Sequence, residues 1–150
     1  MEHRVRDKQD LFFMKKALEQ AQMALRKGEV PVGAVIVCRD RMVARAHNLT
    51  ETLNDPTAHA EMQAITAACD AIGGKHLNQC TLYVTLEPCT MCAGATAWAQ
   101  LGRLVYAARD PKKGYSLSGE NILHPKTVVT SGLMAEEAGR LLKDFFAEKR

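Results

Sequence analysis

Apolar residues recur along the chain with two periods, one helical and one extended, and their alternation sets the order of elements. Between residues 10 and 27, Leu11, Met14, Leu18, Ala21 and Leu25 fall at helical spacing, with Lys15, Lys16, Glu19, Gln22 and Arg26 between them. Gly28 is the stop signal. Val32 to Val37 is almost continuously apolar, Arg39-Asp40-Arg41 turns the chain, and Met42 to Ala46 continues as a partner strand, which makes a hairpin. A polar connection from His47-Asn48 to Asp55-Pro56 follows. Thr57 then stands as the N-cap of a helix carrying Ala60, Ala64, Ile65 and Ala68 to about Ile72, where Gly73-Gly74 ends it. Lys75 to Gln79 reads as a loop, with His76 exposed to solvent.

The second half repeats the alternation. Thr81 to Leu86 is β-branched and apolar, as a buried strand should be. It runs into a helix from Thr90 to Gln100 whose Ala93, Gly94, Ala95 and Ala97 permit close backbone approach, while Trp98 is either core or a subunit contact. Arg103 to Ala107 is the next strand, and the βαβ order implies a parallel pair with a right-handed crossover. From Ala108 to Lys126 there is no strong period, and a connection of that length inside a compact domain is usually functional or mobile. Thr127 to Thr130 reads as a short last strand. Met134 to about Glu148 is a helix presenting Ala138, Leu141, Leu142 and Phe145 to the core, with Phe146 and a basic end toward substrate or solvent. The expected architecture is α/β, a central sheet of about five strands covered by helices on both faces.

Composition adds bounds. At 150 residues, 47% hydrophobic and 25% charged, residues 1–150 read as one ordinary globular domain. The amino-terminal MEHRVRDKQD is charged, and no run approaches the ~18 apolar residues of a membrane span, so a cytoplasmic protein is the simplest reading. Five cysteines are an odd number in a chain without an export signal, which argues against a disulfide framework. Cys38 and Cys69 read as small buried apolar residues, and Cys80 as a spare metal ligand. The net charge of +3 and pI near 8.6 do not by themselves indicate a nucleic-acid binder. Lys112, Lys113, Lys126, Arg140, Lys143, Lys149 and Arg150 nevertheless concentrate positive charge in the last third, as a phosphate contact or a solvated face.

The chemistry lies between residues 55 and 92, where His59, Glu61, Cys89 and Cys92 stand close in sequence pattern. Zinc favours imidazole nitrogen and thiolate sulfur, and three protein donors describe a catalytic site that keeps one position for water. Cys89 and Cys92 are three apart and share a helix face; Pro88 suits a helix start, which puts both sulfurs at the positive end of the dipole. His59 and Glu61 are two apart and border one site only from a helix's first turn, so two helix N-termini are expected to converge on one metal. Two thiolates and a neutral imidazole cancel the zinc charge without exceeding it, and Glu61 is free to carry protons. Alone, a histidine or a cysteine pair is commonplace. Together, His-x-Glu followed by Pro-Cys-x-x-Cys is the zinc-deaminase signature. A non-catalytic, zinc-stapled module would need a fourth ligand, from Cys80 or His47, and would leave Glu61 without a role; otherwise His47 reads as a surface imidazole and Asn48 as a base reader near the site mouth.

VPVGAVIV at Val30 to Val37, NDPTAHAEM at Asn54 to Met62, TLYVTLEPCTMCAGA at Thr81 to Ala95 and AARDPKKG at Ala107 to Gly114 resemble the bacterial tRNA-specific adenosine deaminases of the cytidine deaminase-like superfamily. The resemblance runs from the first helix to the last. It implies a three-layer α/β/α fold with a mixed sheet, and a cytoplasmic homodimer with one zinc per subunit. The implied reaction converts adenosine to inosine at the wobble position of a tRNA anticodon loop. It carries His59, Cys89 and Cys92 over as ligands and Glu61 as the proton shuttle. Asn48 is then expected to contact the flipped base, Ala60 to offer it backbone groups, and Asp110 to approach the neighbouring ribose. GYSLSGENILHP matches the family only loosely, and deaminases of a free base or nucleoside, of guanine or cytosine type, share the metal signature.

Overall fold

A computed structural model describes residues 2–149; Met1 and the basic terminal Arg150 lie outside them. Four helices, α1 (Glu2–Arg26), α2 (Ala60–Ile72), α3 (Thr90–Trp98) and α4 (Ala135–Glu148), cover five strands, β1 (Gly33–Cys38), β2 (Arg41–His47), β3 (Cys80–Leu86), β4 (Arg103–Ala108) and β5 (Val128–Ser131). The strands form one sheet in the order β2-β1-β3-β4-β5. β1 is antiparallel to both its neighbours, whereas β3, β4 and β5 run parallel, so the sheet is mixed.

Alternation along the strands builds the two cores. Ala34, Ile36, Leu82, Val84, Leu104 and Tyr106 point to the face that packs on Ala60, Ala64 and Ala68 of α2 and Ala93 of α3. Val35, Val37, Tyr83, Val105 and Ala107 point the other way, against Phe13, Met14, Ala17 and Leu18 of α1 and Ala138 of α4. The result is the expected three layers. α1 presses on the start of β1 so closely that a Cβ at Gly33 would meet the backbone of Ala17 and Ala21. It also begins earlier than its apolar period suggests, because the charged amino-terminal segment contains no Gly or Pro to stop it.

One polar connection crosses a core. Asp10 of α1, 5% exposed, accepts both Arg103 guanidinium nitrogens at 2.7 Å and the Tyr83 hydroxyl at 2.6 Å, and Arg103 also donates to Thr130. A helix is thereby tied to three strands. Burial pushes the Asp10 carboxyl up, but the bonds from Arg103 and Tyr83 outweigh it and hold its pKa below the usual range.

Two cysteine expectations are corrected. The antiparallel register of β1 and β3 sets Cys38 directly opposite Cys80, with Cα atoms 4.3 Å apart, and the two form a disulfide. Cys80 is therefore no spare metal ligand. It lies at the far end of β3 from Cys89, roughly 20 Å of strand away. Cys69 is partly rather than fully buried. The long connection after β4 carries one short 3₁₀ turn, Tyr115–Ser118, which no apolar period announced.

Candidate active site

Parallel strands β3 and β4 end side by side, and the chain leaving them, together with the start of α2, forms one depression at the carboxyl edge of the sheet, where open α/β sheets bind ligands. The helix starts differ slightly from expectation. The N-cap of α2 is His59, not Thr57, and the N-cap of α3 is Cys89; both have extended backbone, and neither side chain makes a capping hydrogen bond. Thr57 instead donates its amide and hydroxyl to Asp55 Oδ1 at 2.8 and 2.7 Å, a local turn that delivers the chain to His59. The two cap side chains are consequently free to face each other.

They meet at Cys92. His59 Nδ1 lies 3.6 Å from Cys89 Sγ and 3.5 Å from Cys92 Sγ, and the three donor atoms fall within 4.8 Å of one another. A tetrahedron with about 2.3 Å to sulfur and about 2.0 Å to nitrogen has sulfur-to-nitrogen edges of about 3.5 Å, so the donor set fits a zinc-sized ion. The hydrogen bond from Cys92 is the main influence drawing the Cys89 thiol down to about 4, helped by His59, while that same bond and burial hold the Cys92 thiol up. The bond to Cys89 likewise raises the pKa of His59. A cation would replace protons that the cluster already shares.

Glu61 is beside this group, 4% exposed, and burial pushes its carboxyl up to about 7. Among the described residues no other His, Cys, Asp or Glu adds a donor atom to the group of His59, Cys89 and Cys92. His47, the second candidate for a fourth ligand, is not the surface imidazole expected. It is 7% exposed and faces α1, with Nδ1 2.9 Å from Gln20 Oε1 and Nε2 3.1 Å from Lys27 Nζ, and burial lowers its pKa. Bonded at both nitrogens on the helix side, it is turned away from the cluster. The stapled-module arrangement thus lacks both of its proposed extra ligands.

The depression opens into a cavity of about 890 Å³. His59, Ala60, Glu61 and Cys89 form its floor. Ala60 is wholly buried at the first position of α2, where a helix leaves its amide without an intrahelical acceptor. Asn48, 7% exposed, and Thr50 line one wall, and Asn48 Oδ1 is 3.4 Å from the Thr50 amide. Arg109 to Lys113 line the opposite wall. Asp110 is part of it, but its Oδ1 already accepts the Lys112 and Lys113 amides at 3.0 Å each. Leu142, Lys143 and Phe146 of α4 complete the rim. Thr50 and two buried glutamates, Glu87 in the cavity lining and Glu29 behind it, were not anticipated from sequence. The signal for Glu87 was there to read: a carboxylate ending a buried strand immediately before Pro88-Cys89.

Fold and site together define a hydrolytic deaminase of the cytidine deaminase-like class. Residues 7–150 match the MafB19-like deaminase family. A tRNA-specific adenosine deaminase of Bacillus subtilis (strain 168) is 47% identical over 95% of this chain and 91% of its own length. A solved structure from work on A-to-I editing by tRNA:A34 deaminases at the wobble position superposes with a TM-score of 0.82, at 45% identity, covering 87% of this chain and 99% of that one. A guanine deaminase from Nitrosomonas europaea is more distant, with a TM-score of 0.77 at 26% identity over 90% of this chain and 83% of the other. The chain belongs to the MafB19-like deaminases and groups with the tRNA-specific adenosine deaminases.

Proposed function

We propose that this enzyme hydrolyses adenosine to inosine at the wobble position of a tRNA anticodon loop, with one zinc per subunit held by His59, Cys89 and Cys92. The observation that carries the reading is the Glu61 carboxylate, buried beside a three-donor group at the floor of a cavity whose mouth is basic. Zinc bound there supplies a water acidified from 15.7 toward about 7. Glu61 takes a proton from the attacking water and delivers it to the ring nitrogen beside the amino-bearing carbon. As the water's oxygen bonds to that carbon, Glu61 takes the remaining proton from it and passes it to the amino group; the carbon–nitrogen bond breaks, ammonia departs and the oxygen stays as the carbonyl of inosine.

Asn48 and the Ala60 amide are assigned to the base, as donors and acceptors at the cavity floor and wall. Asp110 is assigned to the wall beside the neighbouring ribose. A base stacked in a duplex could not reach this floor, so the substrate must splay an unpaired nucleotide into it.

Two features favour a polynucleotide over a free base. The cavity is near the upper end of the ~300–1,000 Å³ range for ligand pockets, more room than one ring system needs. Arg109, Lys112, Lys113 and Lys143 are exposed around it, where phosphates would pass and where an uncharged base gains nothing. The likeness to a guanine deaminase supports the second reading, a free-base enzyme. Ammonia release measured on tRNA, adenosine, adenine, guanine and cytosine decides between them. Turnover of tRNA with none on the small substrates supports the assignment, and turnover of small substrates alone overturns it.

A homodimer is part of the proposal. Trp98, 87% exposed at the end of α3, is a large apolar surface that a second copy would cover. Cytoplasmic residence is also proposed, from the substrate; no described helix is long and apolar enough to cross a membrane.

A further inference from the structure

Glu87 leaves β3 two residues ahead of Cys89 and is 2% exposed, yet it takes no part in the metal group. The partners of its carboxylate all lie on the segment after β4. The Asp110 amide donates to Oε1 at 3.0 Å; the Ser116 amide and hydroxyl donate to Oε2 at 3.0 and 2.6 Å. The backbone follows the same seam, with the Glu87 amide on the Ala108 carbonyl at 2.8 Å and the Tyr115 amide on the Pro88 carbonyl at 2.9 Å. Cys89 and Gly114 pair as an isolated antiparallel bridge. Gly114 sits so close to the carboxyl group that a Cβ there has no room.

One buried side chain thus spans the loop that contributes Arg109 to Lys113 to the cavity. The opposite wall is built the same way. Glu29, wholly buried, accepts the Glu51 amide at 3.0 Å and the Thr52 amide and hydroxyl at 2.6 Å each, holding the segment next to Thr50. Loops of this kind lack a hydrogen-bond ladder of their own and are ordinarily the least stable parts of a domain. A carboxylate accepting three donors fixes one conformation, because releasing them would leave a buried charge unpaired.

We infer that Glu87 is a positioning residue that sets substrate affinity: by locking the Asp110 to Ser116 loop in register with Cys89, it pre-forms the wall along which the RNA chain flanking the reacting base must lie. The inference rests on the polynucleotide reading of the cavity. A pre-formed wall lowers the ordering cost at binding and leaves the chemical step alone. The consequence is a split between KM and kcat that a general loss of stability does not produce.

The test uses the zinc-loaded enzyme with a tRNA anticodon stem-loop, comparing Glu87→Ala, Glu87→Gln and Ser116→Ala. Glu87→Ala is expected to raise KM roughly tenfold through the lost pre-ordering, with kcat within about threefold and an unchanged zinc-to-protein ratio. Glu87→Gln keeps the shape and one accepting oxygen, so its KM should fall between wild type and Ala. Amide hydrogen exchange is the second readout. Asp110 and Ser116 should lose protection in Glu87→Ala while β3 keeps its own. Unchanged protection at those two amides, or a fall in kcat with KM unmoved, overturns the inference. Should Glu87→Ala not fold, Glu87→Gln and Ser116→Ala carry the same two readouts. If the wild-type enzyme releases no ammonia from the stem-loop, the substrate assignment falls, and the exchange measurement still decides the clamp.

Discussion

His59 occupies a helix N-cap, a position usually held by a short polar side chain that bonds back to the helix. Its imidazole is instead turned to the sulfurs of Cys89 and Cys92, and the adjoining carboxylate of Glu61 is buried without being one of the three clustered donors. Separate roles predict separable losses. Glu61→Ala should lower kcat by about 10²–10⁴-fold, the range for a positioned acid–base group, while elemental analysis finds zinc still bound. Equal turnover in that variant would remove Glu61 from the mechanism. His59→Ala or Cys92→Ala should lose both activity and zinc, since two protein donors do not hold the ion. Residue type and spacing make this group legible in the chain alone. The buried position of His47 is not legible there, because it depends on Gln20 and Lys27, some twenty or more positions away along the chain.

At the scale of elements, α1 is held to the sheet by apolar packing and by the Asp10, Tyr83 and Arg103 network. Removing one partner of a buried ion pair leaves the other uncompensated, so Arg103→Met should cost about 3–5 kcal/mol in urea unfolding. The pH dependence has a definite sign. Asp10 has a folded pKa below its unfolded value, so it contributes stability at pH above the unfolded value of about 3.9. That contribution is lost as the pH falls through the folded pKa. Urea midpoints measured from neutral pH downward should show an acid-side decline that is smaller in Arg103→Met; equal slopes would show that the network does not couple to folding. Helix and strand positions were largely legible because each element is amphipathic or continuously apolar. The exceptions have local causes. Thr57 turned out to serve Asp55 rather than cap α2, and the first part of the periodless stretch after β4, Asp110 to Ser116, is held by a single carboxylate, Glu87.

For the whole molecule, the basic rim and the exposed Trp98 bear on how the enzyme meets other macromolecules. If Lys112, Lys113 and Lys143 contact phosphates, KM for tRNA should rise steeply with salt, and each Lys→Ala change should reduce the log–log slope by about 1. A salt-independent KM would place the RNA elsewhere. If a second copy covers Trp98, Trp98→Glu should lower the mass found in sedimentation from dimer to monomer, and an unchanged dimer mass would move the subunit contact off α3. The sequence by itself determined the chemistry and the layered class of fold. Metal donors are few in kind and His-x-Glu with Pro-Cys-x-x-Cys is a rare spacing, while apolar period is a local property of each element. Tertiary structure alone decided what distant residues do to one another. It joined Cys38 to Cys80 through a strand register, turned His47 toward α1, and bonded Glu29 and Glu87 to the loops on the two sides of the cavity. Such pairings follow from which strands neighbour which, and no window along the chain contains both partners.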